Sequence, residues 1–233
     1  MTAPSLVEMH AAQGAALAAD GIPLHYGDLA AEYHAALDRA VLMDRSHEAR
    51  LEMTGTHRLD LMHRMSTNDL NTISQGAGRA TVFTNATARI LDRVTVYNLG
   101  DRALVLGEPG RGAALFDFLR RSIFFGDNVQ VVSLAPVTHQ IELHGPQASA
   151  VLDAFWPQAA SAAAMQAADI TIAAVPVTAA RRKAASGLRW SLVVPQAHTV
   201  AVWTALLEAG KTVGLVPAGS LTYNTLRIRA GLP

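Results

Sequence analysis

Nine histidines, no cysteine, and nineteen carboxylates against nineteen cationic side chains set the range of chemistry open to this 233-residue chain. The lack of cysteine removes disulfides, thiolate metal sites and thiol nucleophiles together, and with them any iron–sulfur cluster ligated through sulfur. The histidines are dispersed. His57 and His63 stand six apart, a spacing that puts them on different faces of a helix, and His25 and His34 are isolated, so no metal site is expected. Ser46 and His47 are adjacent, and adjacent side chains diverge on a strand or turn, so a nucleophile–base pair is not expected there. Gly107-Glu108-Pro109-Gly110-Arg111-Gly112 lacks the Lys-Ser/Thr of a phosphate loop and reads as a turn. Arg181-Arg182-Lys183, the one basic run, reads as a solvated loop or as a grip for an anionic tail or an RNA. Three further residues have two readings each. Asp92 is either a hairpin residue bonded to its neighbours or a ligand contact. Tyr97 is either cross-strand packing or an aromatic platform, and Arg227 either pairs with a nearby carboxylate or holds a ligand.

The elements that must position these groups follow from periodicity and turn signals. Residues 26–40 place Leu29, Tyr33, Ala36, Leu37 and Ala40 at helical spacing with Asp28 as N-cap. Residues 49–53 read as a strand, and Thr54 or Thr56 caps a helix carrying Leu59, Met62 and Met65. Strands are expected over 80–84, 90–98 and 103–106, separated by hairpin turns. Pro109 opens a helix with Leu115, Phe116 and Leu119 on its apolar side, and residues 129–134 form another strand. The order strand, helix, three strands, helix, strand is a ferredoxin-like α+β unit with one additional strand. Beyond it, residues 140–143 read as a strand, a helix starts at Gly145-Pro146, and the alanine-rich stretch 159–168 reads as an exposed helix. Strands follow over 170–177 and 188–194, then an amphipathic helix over 199–208 ended by Gly210. A last helix over 222–229 is stopped by Gly231 and Pro233, an ending that reads as truncated.

Composition narrows the function classes. Half the residues are hydrophobic and 16% are charged, enough for a packed interior without covalent staples. The balanced charge lacks the positive field that nucleic-acid or membrane-surface binding needs, so neither partner is expected. No basic, apolar leader begins the chain and no apolar run is long enough to span a bilayer, so the expected location is cytoplasmic.

Six segments in order resemble the aminomethyltransferase (glycine cleavage T-protein)/YgfZ superfamily of folate-binding proteins. They are Gly21-Ile22-Pro23-Leu24-His25-Tyr26, Leu42-Met43-Asp44-Arg45-Ser46-His47, Thr67-Asn68-Asp69-Leu70, Phe83-Thr84-Asn85 with Ile90-Leu91-Asp92, His144-Gly145-Pro146-Gln147-Ala148, and Leu226-Arg227-Ile228-Arg229-Ala230-Gly231-Leu232-Pro233. The third and last match the YgfZ branch best. The resemblance covers residues 20–233, the first two of the family's three domains. It implies two interleaved ferredoxin-like α+β domains around a central folate-type cavity. One is discontinuous, residues 1–48 plus 135–233, and the other, residues 49–134, is inserted. It also implies that the C-terminal β-barrel is absent.

The resemblance further implies tetrahydrofolate as cofactor and assigns roles by position. Asn85, Asp92, Tyr97 and Arg227 persist, Tyr97 where the family places an aromatic against the folate. The family's reactive aspartate, second in Ile-Leu-Asp-Asp, is Arg93 here, its pterin-pairing glutamate is Arg189, and its binding arginine is Tyr223. An arginine offers donors only and repels a cationic centre. These exchanges imply a YgfZ-type folate-binding protein in an accessory role, supporting iron–sulfur enzymes and not transferring the aminomethyl group. An alternative is a tetrahydrofolate-dependent aminomethyltransferase using substitute groups, with Asp92 the catalytic candidate. A third is a ligand-free interaction module joined by a barrel-bearing partner. The expected partners are a folate-class small molecule and client proteins.

Overall fold

The computed structural model describes residues 5–232. In chain order its elements are α1 (Leu6–Ala12), β1 (Ala16–Leu17), β2 (Pro23–His25), α2 (Leu29–Asp38), β3 (Val41–Asp44), β4 (Glu48–Thr54) and α3 (Arg58–Arg64). Next come β5 (Gly78–Thr84), β6 (Ile90–Asn98), β7 (Arg102–Pro109), α4 (Gly112–Arg121), β8 (Gln130–Ser133), β9 (Thr138–Gly145) and α5 (Ala148–Leu152). The chain ends with β10 (Ala167–Ile172), β11 (Val175–Arg182), β12 (Leu188–Pro195), α6 (Thr199–Ala209), β13 (Val216–Pro217) and α7 (Ser220–Arg229). The strands form three sheets, ordered β1-β2, β10-β11-β12-β9-β3-β13 and β5-β6-β7-β4-β8. The architecture is mixed α+β, the class expected from the sequence.

Two compact units divide the chain. One comprises His47–Val137 with Met165–Ala168. Its elements run strand, helix, three strands, helix, strand, the order read from periodicity, and its sheet is antiparallel throughout. Alternation along β6 sends Val94 and Val96 to one face, where they pack with Leu51, Met53, Leu61, Met62, Leu115 and Leu119. That face carries α3 and α4. Two helix starts differ from expectation. α3 has His57 as N-cap without a side-chain cap bond, not a threonine. Gly55 (φ +97) brings the chain so close to Asn128 that His57 is bonded there instead, its Nδ1 accepting from Asn128 N at 2.9 Å. Pro109 ends β7 rather than opening α4, because Gly110 (φ +70) reverses the chain before the helix begins at Gly112.

The other unit comprises the chain up to Ser46, Thr138–Ala164, and Asp169 onward. In its sheet β13 runs parallel to β3, and the β3–β9, β9–β12 and β12–β11 pairs are antiparallel. Val41 and Met43 of β3 face Ala35 and Ala36 of α2 and Leu226 of α7. On the other face α5 and α6 pack against β12, and Trp190 Nε1 donates to Ser149 Oγ at 3.0 Å. Two buried carboxylates fasten the periphery. Glu32 of α2, behind the expected Asp28 cap, accepts from Gly219 N at 2.9 Å and Thr222 Oγ1 at 2.8 Å, tying α2 to α7. Asp44 Oδ2 lies 3.2 Å from His10 Nε2, and His10 Nδ1 lies 2.8 Å from the Tyr26 hydroxyl, which anchors α1.

Two readings of the second half are corrected. The stretch 159–168 is not a helix. Alanine propensity is overridden at Met165 (φ +61), and Ala167 N donates to Gly76 O at 2.8 Å as β10 begins. The single strand read over 170–177 is a hairpin, turned by Ala173 (φ +51) and Ala174 (φ +62) in place of the usual glycine or asparagine. Pro233, read as a helix stop, lies outside the described residues.

Candidate functional site

β9 carries Gln140, Glu142 and His144 on one face by the two-residue period of a strand, and β12 carries Arg189 and Ser191. The register sets Ser191 opposite Glu142 and Arg189 opposite His144. β3 flanks them on the other side, with Met43 opposite Glu142. The face is therefore polar at its centre and closed by α2 and α7 around it.

Glu142 is fully buried and its two oxygens are saturated with donors. Arg189 grips both, Nη2 to Oε1 at 2.7 Å and Nε to Oε2 at 2.9 Å. Ser191 Oγ donates to Oε1 at 2.5 Å, Gln140 Nε2 at 3.1 Å and Arg182 Nη1 at 3.4 Å, while His144 Nε2 meets Oε2 at 2.8 Å. Burial on its own would raise the pKa of Glu142. The Arg189 charge, the His144 hydrogen bond and the Arg182 charge outweigh it and hold the carboxyl well below the usual carboxylate range. Burial lowers the pKa of His144 from its ordinary value despite the carboxylate beside it. The imidazole is thus neutral with its proton on Nε2, and Nδ1 is left as a buried acceptor without a partner.

The remaining guanidinium nitrogen of Arg189, Nη1, donates to the Tyr223 hydroxyl at 3.0 Å. Arg45 stacks over the Tyr223 ring 4.1 Å from its centre, and the ring meets His144 edge-on at 5.5 Å. One turn further along α7, Arg227 Nε donates to Asn224 Oδ1 at 2.9 Å. So of the residues read from the sequence, Arg189 and Tyr223 touch and Arg227 shares the helix with Tyr223. Arg182 belongs to the run read as a solvated loop or a grip. It lies at the end of β11 and turns inward to Glu142, while Arg181 donates to Ala162 O.

The other candidates belong to the His47–Val137 unit. Asn85 Oδ1 caps the β5–β6 turn, accepting from Thr87 N at 3.0 Å and Arg89 N at 2.9 Å. Tyr97 is buried, and its ring lies against Gly78 so closely that a Cβ there would stand 2.4 Å from Cδ1. Asp92 projects from the opposite face of β6, toward α4, five positions away from Tyr97. It is only 4% exposed, and Oδ2 has no partner. Burial raises its pKa to about 6 against the lowering effect of two backbone N–H groups. It walls a cavity of about 350 Å³ with Leu91, Arg111, Leu115, Phe118 and Arg121. Arg93 lies on the Tyr97 face and donates to Glu108 Oε1 through Nε at 3.1 Å and Nη2 at 2.8 Å.

Ser46 Oγ accepts from Gln140 N at 3.2 Å, a structural bond, and His63 Nδ1 accepts from Leu70 N at 3.3 Å. Among the described residues no group of three or more metal-ligating side chains converges, and no helix is long and apolar enough to cross a membrane. Sequence reasoning missed Glu142, His144, Ser191 and Arg45. The signal for the first two was the polar alternation Gln140-x-Glu142-x-His144 between apolar Ile141 and Leu143.

The fold is that of the N-terminal portion of a glycine-cleavage aminomethyltransferase. The crystal structure of glycine cleavage system aminomethyltransferase T from Bartonella henselae superposes on 99% of this chain and 63% of that one, with a TM-score of 0.85 at 24% identity. The chain belongs to the family of the GCVT N-terminal domain, whose pattern matches residues 6–233. Among its curated relatives is an aminomethyltransferase of Streptomyces coelicolor, 28% identical over 91% of this chain and 57% of the relative. Another, from Symbiobacterium thermophilum, is 27% identical over 98% of this chain and 64% of the relative. The chain thus spans less than two thirds of the length of either.

Proposed function

We propose that this chain binds a reduced folate, tetrahydrofolate or a derivative, as part of a tetrahydrofolate-dependent aminomethyl-transfer protein. The observation that carries the reading is the match of the GCVT N-terminal domain to residues 6–233, with relatives named aminomethyltransferase over nearly the whole chain. The Arg189–Tyr223 pair supports it, since both are positions where the family resemblance places ligand contacts. Titration calorimetry with tetrahydrofolate and folinic acid tests it. Saturable one-to-one binding that weakens in Tyr223 or Arg227 variants is expected, and the absence of binding at millimolar ligand would refute it.

A second reading, an accessory folate binder of the YgfZ type that supports iron–sulfur enzymes and does not transfer carbon, is favoured by one observation. Arg93 and Arg189 stand where the resemblance places two acids, and each is engaged by a glutamate on the neighbouring strand, Glu108 and Glu142. Neither arginine can accept a hydrogen bond from a reacting amine or a pterin edge. An aminomethyl-transfer assay on folate-loaded protein separates the two readings. Transfer that is lost in Asp92→Asn supports the enzyme with a substitute acid, and folate binding with no transfer supports the accessory role.

A further inference from the structure

The cavity of about 350 Å³ beside α4 lies on the side of the β6 sheet away from Tyr97. Its lining is graded. Asp92 and Leu115 are only 4% and 3% exposed and form the floor. They meet over Gly107, where a Cβ would stand 2.7 Å from Asp92 Oδ2 and 3.4 Å from Leu115 Cδ2. Leu91 and the Phe118 ring are half-buried and form apolar walls. Arg111 and Arg121 are exposed and stand at the mouth, with the half-buried Asp117 on the same helix. The charged groups facing the space are therefore Asp92 within and Arg111, Asp117 and Arg121 outside, and the Glu108 charge also reaches Asp92. Polar groups at both ends are unpaired. Asp92 Oδ2 has no hydrogen-bond partner, and a buried oxygen in that state costs free energy that a donor would offset. At the mouth Arg111 Nη2 donates to Leu91 O at 2.5 Å, whereas Arg121 is bonded to no described residue.

An acid at the floor, apolar walls and a guanidinium at the mouth define the ligand by its order of groups. It carries a cation at its inner end, methylenes between and an anion at its outer end. Leu115 and Arg121 are six residues apart on α4, about 9 Å along its axis, so the two charges must be separated by a chain. An α-amino acid holds both charges on one carbon and cannot present them to both ends. We propose that this cavity binds an ω-amino carboxylate, its ammonium on Asp92, its methylenes against Leu91, Leu115 and Phe118, and its carboxylate on Arg121. The site is independent of folate binding, because Asp92 and Tyr97 project from opposite faces of β6.

The test is titration calorimetry of native protein, Asp92→Asn and Arg121→Gln with three probes: 6-aminohexanoate, hexylamine (no carboxylate) and hexanoate (no ammonium). Asparagine keeps the shape of the Asp92 side chain and Arg121 is exposed, so both variants fold, and urea unfolding confirms it. Native protein is expected to bind 6-aminohexanoate saturably, one to one. Each substitution should weaken that binding by about tenfold or more, as for a hydrogen bond to a charged group. Hexylamine should lose affinity only in Asp92→Asn, and hexanoate only in Arg121→Gln. The Asp92 carboxyl resonance gives a second readout. An ammonium beside the carboxyl favours its ionised form, so saturation with 6-aminohexanoate should lower its titration midpoint from about 6, and hexanoate should not. No saturable binding at millimolar 6-aminohexanoate, an affinity unchanged in either variant, or a midpoint that stays fixed overturns the inference.

Discussion

Asparagine at position 92 should remove a pH-dependent instability from the unit that carries β6. The Asp92 carboxyl is 4% exposed, and its Oδ2 has no hydrogen-bond partner. It is fitted so tightly over Gly107 that a Cβ there would stand 2.7 Å from that oxygen. Burial is the largest influence and raises the pKa from an ordinary 3.8 to about 6, with the Glu108 charge adding to it. At about 1.36 kcal/mol per pKa unit, a shift of roughly two units corresponds to about 3 kcal/mol. The sign follows from proton counting. Between about pH 4 and pH 6 the folded chain holds a proton that the unfolded chain has released, so stability falls as pH rises. The contribution is complete below the ordinary pKa and gone above the raised one. Asparagine keeps the neutral shape at every pH. Urea unfolding of native protein and Asp92→Asn across about pH 4 to pH 8 isolates the effect, because all other titrating groups are shared. The variant should gain on the native protein by about 3 kcal/mol from the acid end to the neutral end. A difference between the two that stays flat across that range would refute the reasoning, and so would a carboxyl resonance of Asp92 titrating near its ordinary value.

Two further perturbations follow from the packing. Gly78→Ala drives a methyl into the Tyr97 ring, 2.4 Å from Cδ1 and 3.0 Å from Val96 O, and should cost about 2 kcal/mol in urea unfolding, a cost that shrinks when it is measured in a Tyr97→Ala background. Glu142→Gln removes the carboxylate charge that Arg189 grips in the interior and should cost about 3–5 kcal/mol, whereas the double variant Glu142→Leu with Arg189→Met should lose much less than the sum of the single changes. Additive losses in that cycle would show that the two side chains are not coupled.

The turn residues on either side of β6 gave three strands in order, because hairpin turns announce themselves locally in residue type. Asp28 was legible because a cap bonds within its own helix, to Ala31 N three residues on. The cluster was not. Gln140, Glu142 and His144 alternate with Ile141 and Leu143, which reads as a solvent-facing stripe, yet both faces of β9 are buried. Only the register with β12 shows that Glu142 has an arginine 47 residues away to neutralise it. Arg189 and Tyr223 were each named from their place in a motif, but nothing in the chain between them says that they touch. The hairpin at Ala173 and Ala174 failed for a different reason, since alanine carries no left-handed signal and the tertiary fold imposes the turn.

A buried ion cluster is weak evidence for stability, because well-packed apolar side chains of the same volume often serve as well or better. Its geometry argues for something else. Glu142 occupies Nε and Nη2 of Arg189, and a planar guanidinium held at those two corners has its third nitrogen fixed in direction. That nitrogen meets the Tyr223 hydroxyl. A lysine at 189 would be a point charge with no fixed direction, and could neutralise Glu142 without orienting Tyr223. The same strand pair therefore does two things that an apolar core would not. It saturates the Glu142 carboxylate, and it fixes the direction in which Arg189 meets the Tyr223 hydroxyl. Where the family resemblance places an acid, Arg189 presents donors and no acceptor.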